Sequence, residues 1–545
     1  MSAPPLLVEI GTEELPPKAL PGLAAAFRDG IVAGLAKRGI AHESARALWS
    51  PRRLAVLVEA LATQQPDQAQ ERRGPAVAAA FDEHGKPSRA LEGFAASCNV
   101  AVDALEKLET DKGAWYVHRA VKPGEATSTL LPAIVSEALT ALPVPKPMRW
   151  GDRDIAFVRP AHWFVLLHGD AIVDAEVLGL KSDRLSRGHR FHHPKPVWIA
   201  HPRDYVEALR AAHVVVDPDE RRARIRAQVE AIAAKAGGSA RISDALLEEV
   251  SNLTEWPVAI SCAFEQSFLR VPQEALVTTM ESNQKFFPIV DGDGALTERF
   301  VGVANIDSRD PDEIRRGYER VIRPRFADAA FFYDEDLKSP LAHQQKALER
   351  VTYQQKLGTL WDKTCRVAEL ARQVANRVHV DGALATHAAA LSRCDLMTRM
   401  VGEFPELQGT MGRYYATAQG EEPEVARALD EFYAPRFAGD AIAEGGIARV
   451  LAVADKADTL AGAFAIGQKP TGNKDPFSLR RTALGLARTL IEGGLEIHLI
   501  GLFREALDAL SPAAWVASKP SGTAEVGSKV IQATELVANE LYDFV

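Results

Sequence analysis

The sequence predicts a multidomain α+β protein, in which an N-terminal α+β body built on antiparallel sheet precedes an all-α domain. The chain has 545 residues, which is more than one hydrophobic core usually organises. Short apolar strands recur up to about residue 300, and helical periodicity dominates from about residue 326. We therefore place the α+β body at residues 1–325, the helical domain at 326–500, and a linker with the start of a further helical segment at 501–545.

The N-terminal body opens with a strand, a helix and a second strand. After the strand LLVEI, apolar side chains recur at three- and four-residue steps, as one face of a helix requires, at Leu20, Leu23, Phe27, Ile31 and Leu35. Gly39 predicts the end of that helix. Further on we expect a strand in RRLAVLVEAL, a helix in SRALEGFAASC, and strands in AWYVHRAV, IAFVRPAHWFVLLHG and AIVDAEVLGL.

The second half of the chain is predicted to be a series of helices. We expect AHQQKALERVTYQQKLGTLWDKTCRVAELARQVANRV to be helical nearly throughout. Further helices are expected in THAAALSRCDLMTRMVGEF, EVARALDEFYAPRF, GIARVLAVADKADTLAGAFAIG and FSLRRTALGLARTLIEGG. The run SKPSGTAEVGSK at residues 518–529 is typical of a linker, and VIQATELVANELYDFV is expected to form the last helix.

Composition restricts the class of protein. Hydrophobic residues make up 47% and charged residues 25% of the chain, as in a soluble globular enzyme or binding protein. The sequence contains no apolar run long enough to span a membrane and no signal peptide at its start. The four cysteines are scattered without a C-x-x-C pair, which argues against a zinc site and a disulfide framework. We expect a cytoplasmic protein with no membrane partner.

Three carboxylates lie in and just after the first strand, within EIGTEELPP. Glu9, Glu13 and Glu14 could form a metal site or an acid–base pair, or they could be strand-end and cap residues. Because acids near a helix N-terminus favour the helix dipole and threonine can cap a helix, we expect Thr12, Glu13 and Glu14 to precede a proline-initiated helix. Glu9 alternates onto the other face of the strand. We interpret this turn as an architectural or subunit-contact element.

The sequence lacks the common catalytic motifs, including the P-loop, the dinucleotide-binding glycines, the nucleophile elbow and H-E-x-x-H. The stretch DGDGAL at residues 291–296 lacks the spacing of a calcium loop, and we expect a hairpin turn there. GHRFHHPKP brings His189, His192 and His193 together. Neighbouring side chains on a strand point to opposite faces, so His192 and His193 cannot easily share one ion. We favour a polar strand end that meets a phosphate.

Four basic clusters contain or adjoin aromatic residues in this acidic chain, whose net charge is −9. They are RWGDRDIAFVRPAHWF, SDRLSRGHRFHH, IRRGYERVIRPRF and QKPTGNKDPFSLRR. Guanidinium groups pair with phosphate oxygens, and interleaved rings offer stacking surfaces for unpaired bases. Each cluster alone could be a solvated or salt-bridged face. The four together indicate RNA binding, while the net charge excludes a polycation that coats nucleic acid indiscriminately.

The helical half contains a second candidate site. RCDLMTRMVGEFPELQG and VADKADTL place Asp395 and Asp455 on two helices. Metal phosphohydrolases of the HD type hold a divalent metal with a His–Asp pair on one helix and a distant Asp on another. Here Cys394 precedes Asp395, and a thiol with two carboxylates is a poor substitute for an imidazole-rich site. We therefore predict no metal and favour a structural role, in which these acids cap helices or form ion pairs.

Nine stretches, in unbroken order from Leu6 to about Arg481, resemble one known family. They are LLVEIGTEELPPKAL, SPRRLAVLV, PKPMRWGDRDIAFVRPAHW, GHRF, VPQEALVTTMESNQKFFP, ERVIRPRFADAAFFYDEDLK, KLGTLWDK, GEFPELQGTMGRYYA and KPTGNKDPFSLRR. Together they resemble the β subunit of bacterial glycyl-tRNA synthetase.

The resemblance implies an α₂β₂ heterotetramer with tRNA(Gly) as a further partner and no DNA. It implies that the separate α subunit carries the class II active site for glycine and uses ATP and Mg²⁺, so that this chain has no catalytic residue and no cofactor of its own. The middle domain of the family is HD-like, and here it would be a degenerate version that keeps Asp395 and Asp455. A C-terminal helical anticodon-binding domain is usual in the family, and we expect it to be absent from a chain ending at Val545.

Twelve basic residues from the four clusters are the predicted tRNA contacts. They are Arg149, Arg153, Arg159, Arg187, Arg190, Arg320, Arg323, Arg325, Lys469, Lys474, Arg480 and Arg481. Two alternatives stay open at this point. One is a metal-dependent phosphohydrolase built on the helical domain, and the other is a scaffold that does not contact RNA.

Overall fold

The computed structural model describes residues 3–82, 86–110, 113–152, 154–510 and 526–545. Two compact units are present. Unit 1 comprises Met1–Cys262, Lys285–Asp293 and Arg299–Tyr318, and unit 2 comprises Ala263–Gln284, Gly294–Glu298 and Glu319–Val545. The predicted contact Arg153 and residues 518–525 of the predicted linker lie outside the described residues.

Unit 1 is built on a five-stranded sheet, which confirms the predicted antiparallel body. The strands lie in the order Ala171–Ile172, Ala161–His168, Leu6–Thr12, Arg53–Val58 and Ala45–Ser50. All four neighbouring pairs are antiparallel. The central strand Leu6–Thr12 is buried along its whole length, so its charged residue, Glu9, is buried as well.

Both faces of this sheet are covered, because alternate residues of a strand point to opposite sides. Leu6, Val8 and Ile10 pack in one core with the apolar sides of the helices Leu20–Lys37 and Thr127–Thr140. Leu7 packs in a second core that contains Trp163, Tyr205 and Leu209. The predicted helix from Leu20 is therefore confirmed, and Gly39 follows it with φ of +68°, the left-handed conformation that ends many helices.

Gly11 permits the close approach of an aromatic ring to the central strand. It pairs with Trp163 of the neighbouring strand, and a Cβ at residue 11 would lie 1.8 Å from Cε2 of that indole. Gly11→Ala is therefore expected to lower the free energy of unfolding by about 3 kcal/mol, the upper range for overpacking a buried site. Urea unfolding followed by circular dichroism would measure it.

Gly22→Ala is the matched control. A Cβ at Gly22, in the helix Leu20–Lys37, has no neighbour within 4 Å. Alanine is a better helix former than glycine by roughly 0.5–1 kcal/mol, so this variant is expected to be slightly more stable than the parent chain. Equal stability of the two alanine variants would contradict the role assigned to Gly11.

The other strands of unit 1 form small sheets and hairpins. A three-stranded antiparallel sheet has the order Gln68–Ala76, Gly113–Lys122 and Glu106–Thr110, and a four-stranded sheet has the order Ser239–Ala240, Phe287–Val290, Leu296–Ala304 and Val258–Ala263. Two-stranded pairs are Met148–Arg149 with Ala156–Phe157, Glu176–Val177 with Leu180–Lys181, and Leu185–Arg187 with Pro196–Trp198. DGDGAL connects two neighbouring strands, as the hairpin interpretation predicts. The remaining helices are Arg89–Ser97, Tyr205–Ala211, Pro218–Lys235 and Asp244–Ser251.

Unit 2 is mainly helical, as predicted for the second half of the chain. The helix Gly446–Ala465 is buried along most of its length and packs against Leu360–Arg377, Pro423–Glu431, Leu479–Glu492 and Leu499–Asp508. The other helices are Gln273–Thr278, Gln345–Leu348, Gly382–Leu391, Arg399–Glu403, Thr410–Ala418 and Val526–Phe544, with a π-helical turn at Thr279–Gln284. The helix Pro311–Leu337 passes from unit 1 into unit 2, and the division predicted at residue 325 falls within it.

The long helix predicted from AHQQKALERV to the end of RQVANRV is wrong. Two short strands, Thr352–Gln354 and Gly358–Thr359, form a hairpin in its middle. Gly358 has φ of +87°, and Thr359 with Asp362 forms a capping box that starts the helix Leu360–Arg377. None of the described helices is long and apolar enough to cross a membrane.

Candidate nucleic-acid interface

A cleft of about 370 Å³, here called cleft A, lies in unit 1 at the end of the central strand. Strand ends and turns supply its wall, because Thr12 ends Leu6–Thr12, Arg187 ends Leu185–Arg187, and Arg52 lies in the turn before Arg53–Val58. The cleft is lined by Thr12, Glu13, Arg52, His162, Trp163, Arg187, Gly188, Arg190, His193 and Pro194. Two of the predicted RNA contacts, Arg187 and Arg190, therefore meet at one site.

The acids of EIGTEELPP do not cap a helix, so that prediction is wrong. Thr12 is still paired with Ala161 in the sheet, and the helix begins only at Leu20, after the turn that contains Pro16 and Pro17. Its N-cap, Ala19, makes no side-chain hydrogen bond, and its first turn contains no acid.

Glu13 instead binds the basic side of cleft A. Arg190 Nη2 donates to Glu13 Oε2 at 2.9 Å and lies 3.4 Å from Glu14 Oε1, and His162 Nε2 lies 3.1 Å from Glu13 Oε1. Partial burial raises the pKa of Glu13, but the hydrogen bond and the charge of Arg190 outweigh it, and the pKa lies below its usual value. Glu13 therefore stays ionised and orients Arg190.

Arg187 is the member of cleft A with unused donors. Its side chain is exposed, and it forms no hydrogen bond or ion pair with the residues that the structure describes. The Phe191 ring, 72% exposed, follows Arg190 in the chain. Guanidinium groups bind phosphate oxygens through paired N–H donors, and an exposed ring can stack on a base. Cleft A thus combines the two chemistries that recognise unpaired nucleotides.

A buried charge network lies behind cleft A. Arg53 is fully buried and donates to Glu255 Oε1 at 3.0 Å and to Ser50 Oγ at 2.9 Å. Arg52 donates to Glu255 Oε2 at 2.7 Å and to the carbonyl of Gly188 at 2.9 Å. Burial raises the pKa of Glu255, but Arg53 and Arg52 outweigh it and lower the pKa to about 2. Glu255 therefore remains charged and holds Arg52 in the wall of the cleft.

Glu9 connects the same network to the indole that forms part of the cleft. Its Oε1 atom accepts hydrogen bonds from Trp163 Nε1 at 2.6 Å and from Ser186 Oγ at 2.7 Å, and Arg53 Nη1 lies 3.6 Å away. Sequence reasoning missed Glu255 and the role of Glu9. A signal existed, since Glu9 and Arg53 both stand in strands of otherwise apolar residues, where a charge needs a buried partner.

The histidines of GHRFHHPKP do not lie on a strand as predicted, because residues 188–195 form a turn. His189 Nε2 donates to the carbonyl of Asn305 at 2.7 Å, and its Nδ1 accepts the backbone N–H groups of Phe191 and His192. His192 Nε2 accepts the N–H of Asp307 at 2.9 Å. His189 and His192 therefore bind backbone groups and shape the turn that carries Arg190, while His193 lines cleft A.

Comparison with known proteins decides the family. A family model described as "Glycyl-tRNA synthetase beta subunit" matches residues 6–545. The chain belongs to this family. It is 56% identical over 543 residues to the glycine–tRNA ligase beta subunit of Xanthomonas campestris pv. campestris (strain B100), covering 99% of this chain and 76% of that protein. It is 54% identical over 515 residues to the beta subunit of Xylella fastidiosa (strain M12), covering 94% of this chain and 70% of that protein. These relatives confirm the predicted resemblance and give no support to a phosphohydrolase.

The other predicted contacts of unit 1 lie outside cleft A. Arg149 is exposed at the end of a short strand and is 3.1 Å from Asp154. Arg159 is partly buried and donates to the carbonyl of Val158. Their role in this member of the beta-subunit family stays a prediction.

The predicted contacts of unit 2 fall into two groups. Arg320, Arg323 and Arg325 are exposed on the helix Pro311–Leu337, where Arg323 is already paired with Glu265. Around the start of the helix Leu479–Glu492, Lys469 pairs with Glu540, Arg480 donates to the carbonyl of Gly472, and Lys474 is exposed. Arg481 lines a second cleft of about 400 Å³, here called cleft B, together with Gln408, Phe432, Tyr433, Pro435, Arg436, Asp455, Lys456, Thr459 and Thr482.

The two acids at the degenerate HD positions have separate partners. Asp395 is buried and accepts the backbone N–H groups of Gly409 at 2.5 Å and Gly412 at 3.2 Å, and burial raises its pKa to about 6. Asp455 is paired with Arg393 and with Lys363, which outweigh burial and lower its pKa. Within the described ranges, no group of three or more His, Cys, Asp or Glu side chains could hold a metal ion. These residues do not fit a divalent metal.

Proposed function

We propose that this chain binds and positions tRNA(Gly) as the β subunit of a glycine–tRNA ligase, and that cleft A is one of its RNA contacts. Family membership supports the reaction, and the unpartnered guanidinium of Arg187 in a cleft with Arg52 and Arg190 carries the assignment of the site. The lining residues include three arginines and two histidines against one carboxylate, Glu13. Such a wall attracts a phosphate group.

We further propose that a separate α subunit carries the active site in an α₂β₂ enzyme of the cytoplasm. That subunit would activate glycine with ATP and Mg²⁺, and this chain would supply no cofactor. The beta-subunit designation of the relatives supports a partner subunit, and the sequence of this chain contains none of the common nucleotide-binding motifs. The twelve predicted basic contacts are proposed as tRNA contacts on the same grounds.

Three parts of cleft A would divide the recognition of one nucleotide. Arg187 and Arg190 would bind phosphate oxygens, and Phe191 would stack on an unpaired base. Arg52 is held by Glu255 and by the carbonyl of Gly188, so it would supply a fixed positive charge at the back of the cleft. A rigid cation and two mobile ones together set both the position and the affinity of a phosphate.

The purified chain alone is expected to activate no amino acid, and addition of the α subunit should give glycine-dependent charging of tRNA. ATP–pyrophosphate exchange measures activation, and incorporation of labelled glycine into tRNA measures charging. Glycyl-adenylate formation by this chain without its partner would overturn the proposed division of labour.

Crosslinking distinguishes this function from that of a scaffold without RNA contact. With tRNA carrying photoreactive nucleotides in the assembled α and β complex, crosslinks should form on peptides around Arg187 and Phe191. Crosslinks confined to the α subunit would support the scaffold.

A further inference from the structure

Cleft B in unit 2 has a cationic wall that the proposed function does not use. Three of its lining residues, Arg436, Lys456 and Arg481, are cations, and Asp455 is the acid among those lining it. The oxygens of Asp455 are already occupied, because Arg393 and Lys363 Nζ both bind Oδ1, the latter at 3.1 Å. The acid therefore cancels cations behind the wall and leaves those in the wall uncompensated by it.

The same ion pairs oppose metal binding at this place. Asp458, one turn further along the helix Gly446–Ala465, is bound by Lys363 at 2.9 Å and by Arg366 at 2.6 Å. Two carboxylates thus face three buried or half-buried cations, Lys363, Arg366 and Arg393. A divalent cation would have to displace an ammonium or a guanidinium to reach either aspartate, whereas an anion meets no such barrier.

Two of the wall cations have donors left for a ligand. Lys456 Nζ donates to the carbonyls of Phe432 at 3.1 Å and Ala434 at 2.7 Å, and an ammonium group has three donors. Arg481 is exposed and makes no hydrogen bond or ion pair in the described part of the chain. Arg436 is held by Asp430 through Nη2, so it contributes charge from a fixed position.

The fold holds Lys456 close to the helix that carries Arg481. A Cβ at Gly485, one turn after Arg481 on the helix Leu479–Glu492, would lie 3.1 Å from Lys456 Cε. The missing side chain therefore lets the lysine stem pass against this helix. The rings of Phe432 and Tyr433, whose centroids are 3.9 Å apart, form the apolar side of the cleft.

We propose that cleft B binds a phosphate group without a metal ion, with Arg481 and Lys456 as its donors. The phosphate group belongs either to a free nucleotide or to an RNA backbone, and the two share the chemistry that the wall recognises. Since cleft B and cleft A contain different residues, this site stands or falls independently of the proposed function.

The test uses the full chain after treatment with EDTA. Inorganic phosphate is titrated and its binding is measured by ³¹P line broadening, and AMP is titrated by calorimetry. Arg481→Gln is expected to weaken binding of both at least fivefold, because it removes an exposed cation without disturbing the fold. Arg427→Gln, an exposed arginine on the helix Pro423–Glu431 outside the cleft, is the matched control and should bind as the parent chain does.

A third titration, with a tRNA transcript, identifies the source of the phosphate. Weaker binding of AMP alone in Arg481→Gln indicates a free nucleotide, and weaker binding of the transcript as well indicates the RNA backbone. The proposal is overturned if Arg481→Gln binds phosphate and AMP as tightly as Arg427→Gln, or if the parent chain binds them only after Mg²⁺ or Mn²⁺ is added. Matching circular dichroism spectra would show that the variants are folded.

Discussion

Glu255→Gln is expected to lower the free energy of unfolding by about 3–5 kcal/mol, the cost of removing one partner from a buried ion pair. The substitution leaves the guanidinium of Arg53, which is fully buried, with Glu9 as its remaining acid at 3.6 Å. It also releases Arg52 from its 2.7 Å bond to the carboxylate. Urea unfolding at pH 7 would measure the loss.

The same carboxylate predicts how this loss depends on pH. The pKa of Glu255 is about 2 in the folded chain, below the ordinary value of 4.5. A carboxyl group whose pKa is lower in the folded state stabilises the fold fully above its unfolded pKa, and that contribution disappears as the pH falls towards the folded pKa. The difference in stability between the parent chain and Glu255→Gln should therefore shrink between about pH 4.5 and pH 2.

Glu207→Gln is the control for this experiment. Glu207 is exposed and lies 3.5 Å from Arg210 in a surface pair, and exposed substitutions of this kind usually change stability by less than about 0.5 kcal/mol. If Glu255→Gln is no less stable than Glu207→Gln, the buried network does not hold unit 1 together.

The double variant Arg187→Gln with Arg190→Gln is expected to weaken tRNA binding by about tenfold or more at moderate salt. Each lost phosphate contact also removes released counterions, so the slope of log affinity against log salt should become shallower by about 1–2. Filter binding by the assembled α and β complex at several salt concentrations would measure both effects.

A matched pair separates a local contact from loss of overall charge. Arg28 and Arg89 are exposed arginines of unit 1 that do not line cleft A, and replacing both by glutamine removes the same charge. This control should bind tRNA within about twofold of the parent chain. Equal weakening in the two double variants would mean that cleft A is not an RNA contact.

The sequence predicts those features that depend on near neighbours. The helix from Leu20 follows from apolar side chains three and four residues apart, and Arg187 and Arg190 were identifiable because they stand beside Phe191 in one short segment. The interruption of the predicted long helix was also local, in Gly358 and the Thr359–Asp362 capping box. Helical periodicity on both sides of it concealed these signals.

The buried network could not be predicted in the same way. Glu255 follows Arg53 by about two hundred positions, and Glu9 meets Ser186 only after four other strands of the unit have paired. A charge within an apolar strand announces that a partner is needed. Which residue supplies it depends on the packing of the whole unit, and no local pattern encodes that.

The attachment of Arg52 to Glu255 and Gly188 also decides which positions can be redesigned. A guanidinium that serves the folded core and the ligand at once cannot be exchanged freely, since selection for a new RNA would first encounter unfolded variants. Arg187 and Arg190 carry no such double duty. Directed evolution of recognition in this subunit should therefore diversify the rim and leave the anchored arginine untouched.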